Sequence, residues 1–172
     1  MHKDMKKIIV IGCPGSGKST FATELHRITG IPLFHLDLMY WNADRTTVDR
    51  AVFLNRLAEV MAQDAWIIDG NYNATMEMRM QACDTVVFLD YPVEVCTSGI
   101  LERRGRVRPD LPWVEPDEID GAFLAFVKGY NEQSRPKVLE LLSTYSNKNI
   151  FVFTSRDEAD EFLEQLKGWF SM

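Results

Sequence analysis

Cysteine is scarce in this chain of 172 residues: Cys13, Cys83 and Cys96 are widely spaced and form neither a disulfide framework nor a metal-ligand set. A reducing cytoplasm is the compartment that such usage suggests. Long apolar runs are absent as well. Stretches such as IIVI and VVFL are strand-sized, far short of the roughly 20 residues of a membrane helix. The start, MHKDMKK, passes directly into a strand-like run with no separate apolar segment, so no signal peptide is expected. Positive charge is in deficit, with 19 Lys and Arg against 25 Asp and Glu and a formal net charge of −6. That balance argues against general nucleic-acid binding, which depends on phosphate neutralisation. Repeats, low-complexity tracts and linkers are also missing, and the length suits one domain spanning 1–172.

Against that acidic background, RRGRVR places Arg103, Arg104, Arg106 and Arg108 within six residues. Such a cluster predicts a local anion site rather than a basic face. Strand and helix patterns alternate along the chain. Strands are expected at 6–11, 31–37, 66–69, 85–90 and 149–153. Helices are expected at 18–29, 48–63, 74–81, 117–130, 136–145 and 156–169, with another begun by Pro92 in its first turn. Three prolines break the pattern between Gly105 and Pro116, which reads as a loop or mobile insert. Strands of buried type alternating with helices imply an α/β fold, a parallel sheet covered on both faces.

Gly12-Cys13-Pro14-Gly15-Ser16-Gly17-Lys18-Ser19 fits G-x-x-x-x-G-K-[ST] without a departure, between an expected strand and an expected helix. Glycines at that spacing let backbone N–H groups turn inward around phosphates, and the helix N-terminus adds partial positive charge. The loop, from Gly12 through Pro14, Gly15, Ser16, Gly17 and Lys18 to Ser19 and Thr20, is therefore read as holding a nucleotide's phosphates. Lys18 would reach the β/γ-phosphates and the Ser19 hydroxyl would ligate Mg²⁺. Cys13 is read as a small residue that fits the loop. Asp69, closing WIID, falls where parallel sheets bind ligands and can lie beside the loop; its other reading is a helix-capping or turn aspartate before Gly70.

Beyond the loop, WIIDGNY and FLDYPVEVCTSGILERRGR resemble stretches of the adenylate-kinase-like family of small-molecule kinases. GCPGSGKST, HLDLMYWN, WIIDGNY and SRPKVLELL are similar to bacterial proteins labelled DNA topology modulation proteins, a label that describes a phenotype on a kinase fold. The resemblance implies a three-layer α/β/α P-loop NTPase fold with a five-stranded parallel sheet and a short lid about 104–116. It implies transfer of the γ-phosphate of Mg-ATP, with Asp69 organising waters around Mg²⁺, Arg103 on the nucleotide and Arg104 and Arg108 closing over the transferred group. Guanidinium forks suit that task, and phosphoryl transfer depends chiefly on positioning and charge neutralisation. A solvated basic turn is the alternative for the cluster.

The acceptor side is more thinly marked. Asp37 in HLDLMYWN is expected at the end of the second strand, where related kinases use an acidic residue to orient or deprotonate the acceptor hydroxyl. Tyr40 and Trp41 are an aromatic wall or core filling, and His35 a structural hydrogen-bonding residue. Arg135 in SRPKVLELL resembles the R-x-P region of shikimate-type kinases, although here proline follows at once, and Arg79 is a further anion-binding candidate. Two departures weaken an AMP site. Asn71-Tyr72-Asn73 replaces the arginine-bearing stretch that follows Asp-Gly in adenylate kinases, and Arg45 is the nearest arginine after strand two. The partners implied are a nucleotide and a small acceptor, with no membrane. A nucleotide-binding switch or slow ATPase working through a protein or DNA partner is the other reading, and it requires the arginines to face away from the loop.

Overall fold

The computed structural model describes residues 4–172; the first three residues of the stretch read for a signal peptide lie outside them. The β-branched run Lys7–Gly12 forms strand β1, buried along nearly its whole length. Helix α1 (Lys18–Thr29) follows the glycine loop and stops at Gly30, whose left-handed backbone donates its N–H to the His26 carbonyl at 2.8 Å. Strand β2 covers only Leu33–His35, shorter than the expected 31–37, and the chain turns at once into α2 (Leu36–Tyr40). The reason is pairing. His35 sits opposite Asp69, the last residue of β3 (Trp66–Asp69), so Leu36 and Asp37 have no ladder partner. Asp37 therefore lies in the first turn of a helix, where its charge suits the dipole, rather than at a strand end.

Between β2 and β3, helix α3 (Arg50–Met61) buries Phe53, Leu57 and Val60, one helical stripe. Helix α4 (Asn73–Ala82) leads to β4 (Thr85–Leu89) and α5 (Val93–Glu102), with Pro92 at the capping position, one residue before the expected first turn. From 103 to 120 there is no helix or strand, only an isolated bridge between Val107 and Val114. Helix α6 (Gly121–Lys128) begins later than the expected 117, because the Asp120 carboxylate accepts the Ala122 N–H at 2.9 Å and caps it there. A single turn, α7 (Tyr130–Gln133), precedes α8 (Arg135–Thr144), β5 (Asn149–Phe153) and α9 (Arg156–Phe170).

The five strands are parallel in the order β2-β3-β1-β4-β5. Their period of two divides the core. Ile8, Val10, Val87 and Leu89 face Phe21, Leu25, Phe162 and Leu163 of α1 and α9. Ile9, Ile11, Val86 and Phe88 face Leu57, Met76, Met80 and Leu141 of α3, α4 and α8. Helices on both faces make this a three-layer α/β/α fold, with the glycine loop joining β1 to α1. Because all strands run one way, Gly12, Asp69 and Leu89 reach the same edge of the sheet, where such folds hold ligands.

Candidate active site

The loop leaving β1 takes its shape from close packing. Gly15 has φ of +85°, and a Cβ there would lie 2.1 Å from the Cys96 carbonyl oxygen on α5. A Cβ on Gly99, one turn along that helix, would lie 2.1 Å from the Gly15 carbonyl oxygen. Glycine meets glycine, so the loop rests directly on α5. On the other side the Asn71 side chain donates to the Gly12 carbonyl at 2.6 Å and accepts the Gly12 N–H at 3.2 Å. Lys18 folds back over the loop, donating to the carbonyls of Gly12 at 3.0 Å and Cys13 at 3.3 Å. Burial depresses its pKa, opposed by the charges of Asp69 and Asp37.

One buried atom in the loop is left without a partner: the Ser16 hydroxyl, in a residue only 1% exposed, makes no hydrogen bond within the described structure. Such orphans are rare in folded proteins and call for a ligand or water. Cys13 is a packed residue, as expected, but it is not isolated. Its thiol donates to the Val127 carbonyl at 3.8 Å, and interaction with the Cys96 thiol, together with burial, pushes the Cys13 pKa upward.

Asp69 is 5% exposed and pairs with Nδ1 of His35 at 2.8 Å. Burial works against the charged imidazole, yet the bond to Asp69 and the nearby carboxylates leave the His35 pKa raised. Asp37 accepts the Tyr72 hydroxyl. Burial raises its pKa, helped by Asp110 and Asp69 and opposed by the Tyr72 bond and Lys18. Tyr40 packs edge-on against Phe53 and Tyr72, with centroids at 5.3 and 5.0 Å, as core filling. Trp41 instead lines the site and meets Trp113 edge-on at 5.6 Å, while Arg45 lies 5.7 Å over the Trp113 ring.

Arg103, Arg104, Arg106 and Arg108 all line one cavity together with the glycine loop, Asp37 and Asp69. Arg108 holds Asp110 through both oxygens and also reaches Glu115, which Arg103 shares at 3.3 Å. Arg104 is exposed and donates to the Leu101 carbonyl at 3.1 Å. The cavity measures about 1610 Å³.

Two candidates stand elsewhere. Arg79 is fully buried, and its guanidinium is spent on the backbone carbonyls of Gly70, Asn71 and Tyr72; it is not among the cavity's walls. Arg135 grips Asp90 through two bonds of 2.8 and 2.9 Å and is likewise outside the cavity. Conversely, Asn71, Tyr72, Gly99 and Arg156 escaped sequence reading. Asn71 and Tyr72 occupy the stretch where the adenylate-kinase pattern fails, and Gly99 is a lone glycine inside a helix; both are signals that could have drawn notice. Arg156 opens α9, lies 5.9 Å over the Tyr91 ring and lines the cavity beside Gly17. Nothing in its sequence context marks it.

No protein-family model and no curated protein matches the chain. Among solved structures it is similar to the shikimate kinase of Bacteroides thetaiotaomicron, with a TM-score of 0.55 and 17% identity over 98% of this chain and 99% of that one. It is also similar to the shikimate kinase of Acinetobacter baumannii in complex with shikimate, with a TM-score of 0.62 and 16% identity over 98% and 94% of the two chains. The likeness is one of fold.

Proposed function

We propose that the protein is an ATP-dependent phosphotransferase of the P-loop kinase type, moving the γ-phosphate of ATP to a hydroxyl of a small acceptor seated against Asp37. One observation carries this reading: the phosphate loop, Asp37 and the arginine segment line one continuous cavity of about 1610 Å³. A single small ligand needs roughly 300–1,000 Å³, so the cavity has room for a nucleotide and a second molecule. The switch reading requires the arginines to face away from the loop. All four line the cavity with it, which favours transfer.

In the proposed reaction the acceptor oxygen attacks the γ-phosphorus while its proton passes to the Asp37 carboxylate. The new O–P bond forms as the bond to the β-phosphate oxygen breaks, and ADP leaves. A raised pKa suits Asp37 to this exchange. Lys18 is poised to trade its two carbonyl partners for phosphate oxygens, and the orphaned Ser16 hydroxyl would gain one. Arg103, Arg104 and Arg108 neutralise charge from the 104–116 side, which we read as a lid on a single catalytic domain. Trp41 borders the acceptor, whereas Arg79 and Arg135 are left out of its site.

Among the described residues no three His, Cys, Asp or Glu side chains converge to hold a metal ion. Mg²⁺ typically takes one or two protein ligands and completes its shell with phosphate and water, and Ser19 and Asp69 both line the cavity. Ser19 and Asp69 are the residues to hold it. When bound, it would supply charge neutralisation across the phosphates.

The Acinetobacter neighbour's complex with shikimate makes small hydroxylated acids a class to test beside nucleotides. Among the described residues no helix is long and apolar enough to cross a membrane, and a cytoplasmic location is proposed. The topology-modulation label names a phenotype, and we assign it no site of its own. The test is Mg²⁺-dependent ADP release, measured without acceptor and then with nucleoside monophosphates, nucleosides and small hydroxylated acids. Stimulation by one compound, with its phosphorylated product seen by mass, is expected. A slow rate indifferent to the whole panel would replace transfer with the switch.

A further inference from the structure

We propose that buried Arg79 is a positioning residue that joins the phosphate loop and the acceptor carboxylate into one unit through the segment Gly70-Asn71-Tyr72. The inference rests on the phosphotransfer reading for the role of Asp37, but not for the contacts themselves.

Arg79 lies on α4 with none of its side chain exposed, and no described carboxylate forms an ion pair with it. A buried guanidinium is costly unless its donors are used. Here they are. Nη1 donates to the Gly70 carbonyl at 3.0 Å, Nη2 to the carbonyls of Asn71 and, at 3.3 Å, Tyr72, and Nε to the Thr75 hydroxyl at 3.3 Å. Burial pushes its pKa down to about 10, which leaves it cationic at neutral pH.

The three carbonyls belong to successive residues, and the side chains of the last two diverge. The Asn71 amide goes to both backbone groups of Gly12. The Tyr72 hydroxyl goes to Asp37. The backbone between them is not one the chain takes freely, since Tyr72 has φ of +41°, in the left-handed region that bulky residues avoid. Strain of this kind persists only where the surroundings over-determine it. Arg79 supplies that hold with a planar fork, which a lysine's point charge cannot copy. One buried side chain thus sets how far the phosphates sit from the carboxylate, a spacing that phosphoryl transfer depends on.

The test needs no acceptor. ATP affinity is measured by fluorescence titration for Arg79→Lys, Asn71→Ala and the double variant, with circular dichroism confirming that each is folded. If Arg79 acts through Asn71, each single change weakens ATP about tenfold and the double variant is little worse than either. An additive loss of about a hundredfold, or wild-type affinity in Arg79→Lys, overturns the inference. Should Arg79→Lys fail to fold, hydrogen exchange on the unaltered protein decides. A joined unit requires ATP to slow exchange at 70–73 and 36–40 together with 12–19, and protection confined to 12–19 overturns it. An unaltered protein that binds no ATP refutes the phosphotransfer reading itself, and is thereby distinct from additive losses, which refute only the link.

Discussion

Gly99 offers a test in which two familiar effects oppose each other. It lies inside α5, where replacing glycine by alanine ordinarily stabilises a helix by about 1 kcal/mol. The added methyl would stand 2.1 Å from the Gly15 carbonyl oxygen, whereas ordinary contact begins at 3.4 Å. The nearest neighbour is backbone and cannot rotate away, so α5 or the phosphate loop must retreat by about 1 Å. Overpacking of this kind costs about 1–3 kcal/mol. Set against the helix gain, the net loss is about 0–2 kcal/mol, a fall in Tm of at most about 8 °C for a chain of this size. Function should suffer more than stability, because a displacement of about 1 Å at a reacting group costs on the order of a hundredfold. Gly99→Ala is therefore expected to melt within a few degrees of the unaltered protein while losing most of its ATP affinity and turnover. Thermal melts and ATP titrations on the same preparation read both quantities. A Tm raised by about 2–4 °C with unchanged ATP affinity would show that helix propensity wins and that the loop does not depend on this contact.

Three further outcomes follow from the site. Lys18→Ala should abolish turnover while the protein stays folded by circular dichroism: the two hydrogen bonds it loses, each worth about 1 kcal/mol, are offset in part by removal of a buried charge. Full activity in that variant would remove the mechanism. Asp37→Asn should lower turnover with acceptor by about 10²–10⁴-fold while changing ATP affinity little; equal losses in both would place Asp37 with the metal or the fold instead. The acid limb of the pH–rate profile should lie above the usual aspartate value of 3.8, since only ionised Asp37 accepts the proton and its pKa is raised. The Tyr72 bond pulls that pKa down, so Tyr72→Phe should move the limb to still higher pH, and a profile that stays put or moves to lower pH would show that Asp37 is not the titrating group.

The layered fold was readable wherever burial and backbone chemistry speak locally. β1, β3 and β4, buried on both faces, are near-continuous apolar runs and were placed within a residue or two. Helix α1 coincides with its expected bounds because the glycine loop opens it and Gly30 closes it. Errors arose where a boundary depends on another part of the chain. β2 ends at His35 because β3 ends at Asp69, which no window around 31–37 can reveal. The start of α6 is set by the Asp120 carboxylate turning back to Ala122, one of several acidic residues in that stretch that could have served as the cap.

The site divides along the same line, between chemistry carried by a contiguous motif and chemistry assembled across strand ends. The phosphate loop is contiguous, and its spacing alone points to a nucleotide's phosphates. The proposed acceptor side draws Asp37 from α2, Tyr72 from the turn after β3 and Trp113 from the 103–120 segment, residues that only the parallel sheet brings near one another. Arginine candidates suffered most, because a guanidinium's partner decides its task and the partner is distant in sequence. Arg135 is answered by Asp90, 45 residues away, and Arg79 by carbonyls whose identity depends on a left-handed tyrosine. The sequence Asp-Gly-Asn-Tyr looks like the loss of a phosphate-gripping arginine. In the folded chain those same residues clamp Gly12 and hold Asp37, so the departure from the adenylate-kinase pattern marks a change in what ties the phosphate loop to Asp37, the proposed acceptor carboxylate, rather than a gap.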